Sequence, residues 1–235
     1  MYLYLNQNYK ISPINTIVFT SVLTELLPVI FYLTLDVRKK DKSLRVIFFL
    51  LIINFLVDLY GMYSLSKIKS NYISFNTYLL IETICLYVFY QKIVFGKLVK
   101  KILSVVIILL VLFWINGFIK AGQNEFLYYS VTFENIFILV FAIYYYYEQV
   151  IILNKSYIYT KIRFWIVTAF FVNAAGTFFL LLYIPSLNNE DQQRYYLLNY
   201  LFVIIRTVLL SIAMFGKSED LIKKGVNQFK SRVDK

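Results

Sequence analysis

The sequence predicts an all-α polytopic membrane protein, a bundle of seven transmembrane helices with the N-terminus outside and the C-terminus cytoplasmic. Three observations carry this. Of 235 residues, 60% are hydrophobic, 20% aromatic and only 16% charged, whereas a soluble chain is about half apolar and a quarter charged because its surface meets water. The apolar residues arrive in runs of about 20, the length that crosses a hydrocarbon core about 30 Å thick. The lysines and arginines gather in the gaps between those runs, on alternate sides.

The seven apolar segments are 14–35, 44–66, 72–90, 98–119, 126–147, 162–183 and 196–215. A membrane β-barrel would show alternating segments of about ten residues instead. The connections are short and polar, so 1–216 reads as one transmembrane domain and 217–235 as a basic tail. Residues 1–10 lack the basic leader and cleavage site of a signal peptide, so the first apolar run is expected to remain as a helix.

Positive charge sets the expected orientation. One side holds 18 basic residues: Arg38, Lys39, Lys40, Lys42 and Arg45; Lys92, Lys97, Lys100 and Lys101; Lys155, Lys161 and Arg163; and six in the tail. The other holds 5: Lys10, Lys67, Lys69, Lys120 and Arg194. The basic side is therefore cytoplasmic, in a membrane of the bacterial inner type. This distribution accounts for the net charge of +11 without nucleic acid. Tyrosines near the span ends, including Tyr32, Tyr90 and Tyr144 to Tyr147, are expected at headgroup depth. In the tail, Leu221, Ile222, Val226, Phe229 and Val233 fall at helical spacing among lysines. They suggest an amphipathic helix on anionic lipid, with a cytoplasmic protein partner as the alternative.

The chemistry lies in ionisable groups at membrane depth. Glu25, Asp58, Glu82, Glu134 and Arg206 fall within the spans; a charge facing lipid at the bilayer centre costs at least about 2.5–3.5 kcal/mol. They must face the bundle interior or water. Polar neighbours at helical spacing extend these faces: Ser21 with Glu25, Asn54 with Asp58 and Gly61, Tyr78 with Glu82, Ser130 with Glu134, Asn173 with Gly176 and Thr177, and Asn199 with Arg206. Six spans thus present a polar stripe to a common centre. The fourth, with only Ser104 and Asn116 near its ends, is expected at the periphery. Glu25, Asn54, Glu82, Asn173 and Arg206 lie near mid-depth and Asp58 and Glu134 nearer the outside, which implies a polar cavity opening outward over a packed cytoplasmic half. Glu25 and Glu82 are at the right depth to pair with Arg206. Full ionisation would leave a net charge of −3, so some carboxyls must be protonated, hydrated or neutralised by a bound cation. Pro28 frees the carbonyl of Thr24 beside Glu25, favouring a local kink. Glu25, Glu82 and Glu134 on the odd spans, with Asn54, Asn116 and Asn173 on the even ones, suggest three parallel helix pairs plus a seventh helix.

Several functions are excluded or disfavoured. With no His and one cysteine, Cys85, the chain lacks ligands for the usual transition-metal sites and has no intramolecular disulfide. In topology and interior carboxylates it resembles the microbial rhodopsins. That resemblance implies a retinal-binding lysine on the last span, but the span contains Arg206 and no lysine, so retinal is excluded. Asp58 is not in the Gly-x-Gly-Asp setting of intramembrane aspartyl proteases. Only 7 glycines and 3 prolines, and no visible inverted repeat, count against the broken helices of a carrier. The expectation is a non-enzymatic sensor or accessory signalling protein without cofactor. A polar network of Glu25, Asn54, Asp58, Glu82, Glu134, Asn173, Asn199 and Arg206 would respond to a small polar ligand, cation or proton. A small cation or proton channel or a proton-coupled transporter is the alternative, and an obligate subunit of a larger complex a third; the sequence leaves oligomeric state open.

Overall fold

A computed structural model describes residues 13–35, 43–65, 72–121, 126–152, 158–183, 186–187 and 189–216. The basic tail and much of the first and third basic loops' charge bookkeeping, including Arg38 to Lys42 and Lys155, lie outside these residues. Among the described residues the elements are helical: α1 Pro13–Thr24, α2 Leu26–Thr34, α3 Leu44–Leu65, α4 Tyr72–Ile93, α5 Lys97–Ala121, α6 Tyr128–Ile152, a 3-10 turn Ile158–Thr160, α7 Ile162–Tyr183 and α8 Asn189–Met214. Seven stretches are long and apolar enough to cross a membrane, with α1 and α2 together forming the first. Several helices run past the apolar segment that marks them. The last starts at Asn189, seven residues before the hydrophobic run, because a helix satisfies its own backbone in water as well as in lipid.

The first span is interrupted where Pro28 cannot donate to the Thr24 carbonyl. Helix α1 stops at Thr24, Glu25 occupies the junction, and the Glu25 amide donates to the Val22 carbonyl at 3.3 Å, one residue short of α-helical register. The backbone of Glu25 stays near helical angles (φ −63°, ψ −22°), so the span bends without breaking apart.

Six spans close into a ring: α1 and α2 pack on α8, α8 on α7, α7 on α6, α6 on α4, α4 on α3, and α3 back on α2 and α1. Helix α5 packs outside the ring against α4 and α6. Only 11% of the residues in its span are buried, against 28% to 50% in the other six, and its outward face carries Leu98, Ile102, Val105, Ile108, Leu109 and Leu112.

The bundle has two unlike halves. One continuous core joins Tyr32 at the end of α2, Phe89, Tyr90 and Ile93 at the end of α4, Phe141 and Tyr145 in the second half of α6, and Leu210 and Met214 at the end of α8 to the opening residues of α3 and α7, among them Leu44, Ile47, Ile162 and Ile166. Ends packed against beginnings make successive spans antiparallel. The tyrosines expected at headgroup depth are partly drawn into this core. Tyr32 stacks on Phe48 with centroids 4.1 Å apart, and Tyr90 packs edge-on to Phe137. Of the Tyr144 to Tyr147 run, Tyr145 is fully buried, Tyr146 donates to Thr168 Oγ1 at 2.9 Å, and only Tyr147 is well exposed. Four successive residues fan around a helix at 100° each, so they cannot share one headgroup-facing side.

The same end is pinned by a carboxylate. Glu148 on α6 accepts from the amides of Phe95 (2.9 and 3.1 Å) and Gly96 (2.7 Å) and from the Tyr144 hydroxyl (3.0 Å). It thereby satisfies donors left open at the start of α5. Lys161, counted above as a loop cation, is buried and donates to Gln149 Oε1 at 3.3 Å. Among the described residues the opposite half holds small apolar clusters, around Val18 and Tyr200 and around Leu181.

Close approach of α7 and α8 depends on Gly176, where an added Cβ would sit 2.2 Å from a ring carbon of Phe202. Gly176→Val should lower stability by about 1–3 kcal/mol, the usual cost of overpacking. Combined with Phe202→Ala it should cost less than the two separate losses together. Thermal unfolding in detergent checks this; simple additivity would show that the two residues do not meet.

Candidate functional site: a polar cavity inside the ring

The unpacked half encloses a cavity of about 130 Å³. Six spans contribute to its wall and α5 contributes nothing. Glu25 enters from the α1–α2 junction and Asn54 and Asp58 from α3. Helix α4 provides Phe75, Tyr78, Leu79 and Glu82, and α6 provides Val131, Glu134, Asn135 and Ile138. Asn173, Thr177 and Leu181 line it from α7, and Asn199, Tyr200, Val203 and Arg206 from α8. All eight residues singled out from the sequence are therefore placed around one space. It runs from Glu25, Ile138 and Arg206 at mid-bundle toward the end marked by Phe75, Phe126 and Leu181. Below it lies the aromatic core.

Arg206 is the hub. Its Nη1 lies 3.5 Å from Glu82 Oε1 and its Nη2 3.8 Å from Glu25 Oε1, which ties α8 to α4 and to the kink of the first span. These separations pair charges without forming close hydrogen bonds. The guanidinium carbon also stands 5.9 Å from the centroid of Phe170 on α7, within cation–π range. From the next residue the Thr207 hydroxyl reaches Thr24 Oγ1 at 3.3 Å, a second tie between α8 and the kink. Asn135 donates to Thr177 Oγ1 at 3.3 Å, joining α6 to α7.

Much of the wall's hydrogen-bonding capacity is unused. Among the described residues, both oxygens of Glu25, Glu134 Oε1, Asn54 Nδ2, Asn173 Oδ1 and Arg206 Nε are buried without a hydrogen-bond partner. Such groups in a folded interior normally find partners in protein or ordered water. Both donors and acceptors wait on this surface, and four carboxyl groups stand around one guanidinium. The lining is suited to holding water or a small polar, net-cationic guest. Among the described residues no three carboxyl, Cys or His side chains converge to cage a metal ion.

Several neighbours assigned to the central stripe face elsewhere. Ser21 donates to its own helix at Val18 O, 2.7 Å, and Gly176 meets Phe202. Ser130 lines a separate water-sized space of about 10 Å³ between α4, α5 and α6, which Glu134 also borders. Asn116 is exposed on α5, so the three odd-span glutamates meet at one cavity while only two of the three even-span asparagines do. The sequence reading also missed Asn76, which is fully buried: its carbonyl accepts from Trp114 Nε1 at 2.8 Å, and its Oδ1 accepts from the Leu127 amide at 3.2 Å, strapping α5 and the start of α6 to α4. Its helical-face neighbour in the sequence is Thr83, seven residues on, a pairing weaker than the stripes that carry an ionisable group. Asn135, Phe75, Phe126 and Tyr200 were missed too, since an aromatic in this composition carries no signal.

Arg206→Gln leaves Glu25 and Glu82 buried beside an uncharged group, a change that typically costs about 3–5 kcal/mol. Restoring neutrality with Arg206→Met, Glu25→Gln and Glu82→Gln together should recover most of that loss. Denaturant unfolding in mixed micelles reads both, and an Arg206→Gln protein as stable as wild type would remove the hub. Compared with known protein-family models, curated proteins and solved structures, the chain matches none of them.

Proposed function

We propose that the chain is a non-enzymatic integral membrane sensor or accessory signalling protein of a bacterial cytoplasmic membrane, with its N-terminus outside. A small polar ligand, cation or proton enters the cavity from outside and shifts the Glu25–Arg206–Glu82 network. The kink at Glu25 and helix α8 carry the shift to the basic end, where the cytoplasmic loops and tail pass it to a soluble protein partner or to anionic lipid.

The observation that carries this reading is the joining of a polar cavity with unsatisfied buried groups to a solid floor. Phe89, Tyr90, Tyr145 and Ile166 are at most 1% exposed and fill the half beneath Arg206. A site closed on one side binds and reports; a conducting path requires continuity. The orientation rests on the distribution of lysine and arginine.

The rival reading is a small cation or proton channel or proton-coupled transporter, which the acidic lining would favour. Liposomes containing purified protein, given sodium, potassium or proton gradients, should show no flux above protein-free liposomes. Flux that is present in wild type and lost in a well-folded Glu82→Gln protein would overturn the sensor reading.

A further inference from the structure

We infer that the cavity's ligand is a small organic ammonium ion, with its charged head among the carboxylates and its carbon body against the aromatic residues of the wall. The inference rests on reading the cavity as a ligand site and gives that ligand a chemistry.

The sign comes first. Four carboxyl groups and one guanidinium line the space, and Arg206 already faces two of the four. Asp58 and Glu134 lie toward the mouth, and the lining holds no second basic residue to oppose them. An anion entering there would meet like charge, whereas a cation supplies what is missing. Buried, unpaired polar atoms support a guest at this position. Glu134 is 4% exposed and its Oε1 has no hydrogen-bond partner, and Asn173 Oδ1 on the facing helix is also unpaired. Both accept hydrogen bonds, and an ammonium head only donates them.

Two features separate an organic cation from a bare metal ion. The carboxylates ring a volume and do not converge on a point, so no three acidic groups among the described residues form a cage. The wall above them holds Phe75, Tyr78, Phe126 and Tyr200. These rings give a bare ion few ligands but suit alkyl carbon and the face of a cation. Size then bounds the guest: about 130 Å³ lies well below the roughly 300 Å³ where sites for drug-sized ligands begin. It admits an amine of several non-hydrogen atoms and excludes a bulky quaternary ion.

The test is a titration of the purified full chain in nanodiscs with n-propylammonium chloride, read as a saturable rise in thermal stability and as heat of binding. Sodium chloride at equal ionic strength, n-propanol, sodium acetate and tetrabutylammonium chloride serve as comparisons. Propylammonium should bind saturably, and the four comparisons should not. Glu134→Gln should weaken binding about tenfold, the loss of roughly 1.4 kcal/mol. Phe75→Leu, which keeps all charges, should weaken it about fivefold, within the range of one cation–π contact. Both variants are compared at matched helical circular dichroism, and the second keeps the test decisive if the first does not fold. Absence of propylammonium binding overturns the assignment, as does binding unchanged in a folded variant. Saturable binding of propanol or acetate in its place would leave a ligand site of another chemistry. Flux through the liposomes described above would instead remove the sensor reading itself.

Discussion

The bundle is organised around one guanidinium buried among six spans. Arg206 sits mid-way along the apolar span of α8, Leu197–Met214, at 6% exposure, and an ionised group at such depth demands internal compensation. Glu82 and Glu25 provide it from α4 and from the kinked first span. Helices distant in sequence are thereby held to a common centre. Apolar packing alone is weakly selective among membrane helices, since lipid tails are as apolar as leucine side chains. The charge hub supplies register and the aromatic core supplies density.

The division into halves follows from that. Polar side chains occupy one part of six inward faces and line the cavity there, several with unused hydrogen-bonding capacity. Beneath Arg206 the same helices carry Phe, Tyr, Ile and Leu, which close against one another. Helix α5 contributes nothing to the cavity wall and takes the remaining place outside the ring, where its Ser104 hydroxyl accepts from Gln91 Nε2 on α4 at 3.0 Å. Asn76 and Glu148 hold it there, one near each end. Signal transfer in the proposed function would therefore run through the ring, from the Glu25 kink and α8 to the basic end.

The spans, the outlying fourth helix and the group of ionisable residues were legible in the sequence because the bilayer imposes length, and the cost of burying charge imposes direction. The bend at Glu25 was legible too, since Pro28 removes one specific donor. What escaped has a common cause. Where lipid and core are both apolar, hydropathy does not distinguish an outward tyrosine from an inward one. Tyr145 and Tyr147 are identical in sequence terms and opposite in burial. Polar groups that anchor the outlying helix and its flanks, such as Asn76 and Glu148, lie outside the cavity wall. Helical spacing also over-assigned Ser130 and Ser21, because three or four residues along a helix leaves tens of degrees of freedom. Ser130 turned toward α5, and Ser21 to its own backbone. The basic tail and several of the loop charges that suggest orientation lie outside the described residues.

On this account the polar cavity is reached from one side and closed on the other by the packed half. Cysteine accessibility tests it most directly. In a Cys85→Ser background, Asn173→Cys lies on the cavity wall and Ala142→Cys in the closed core. Each is exposed in oriented membranes to a membrane-impermeant, positively charged thiol reagent from either side. The account expects Asn173→Cys to react from the outside only and Ala142→Cys from neither side. Reaction of Ala142→Cys from the cytoplasmic side, or an inert Asn173→Cys in a folded protein, would contradict it.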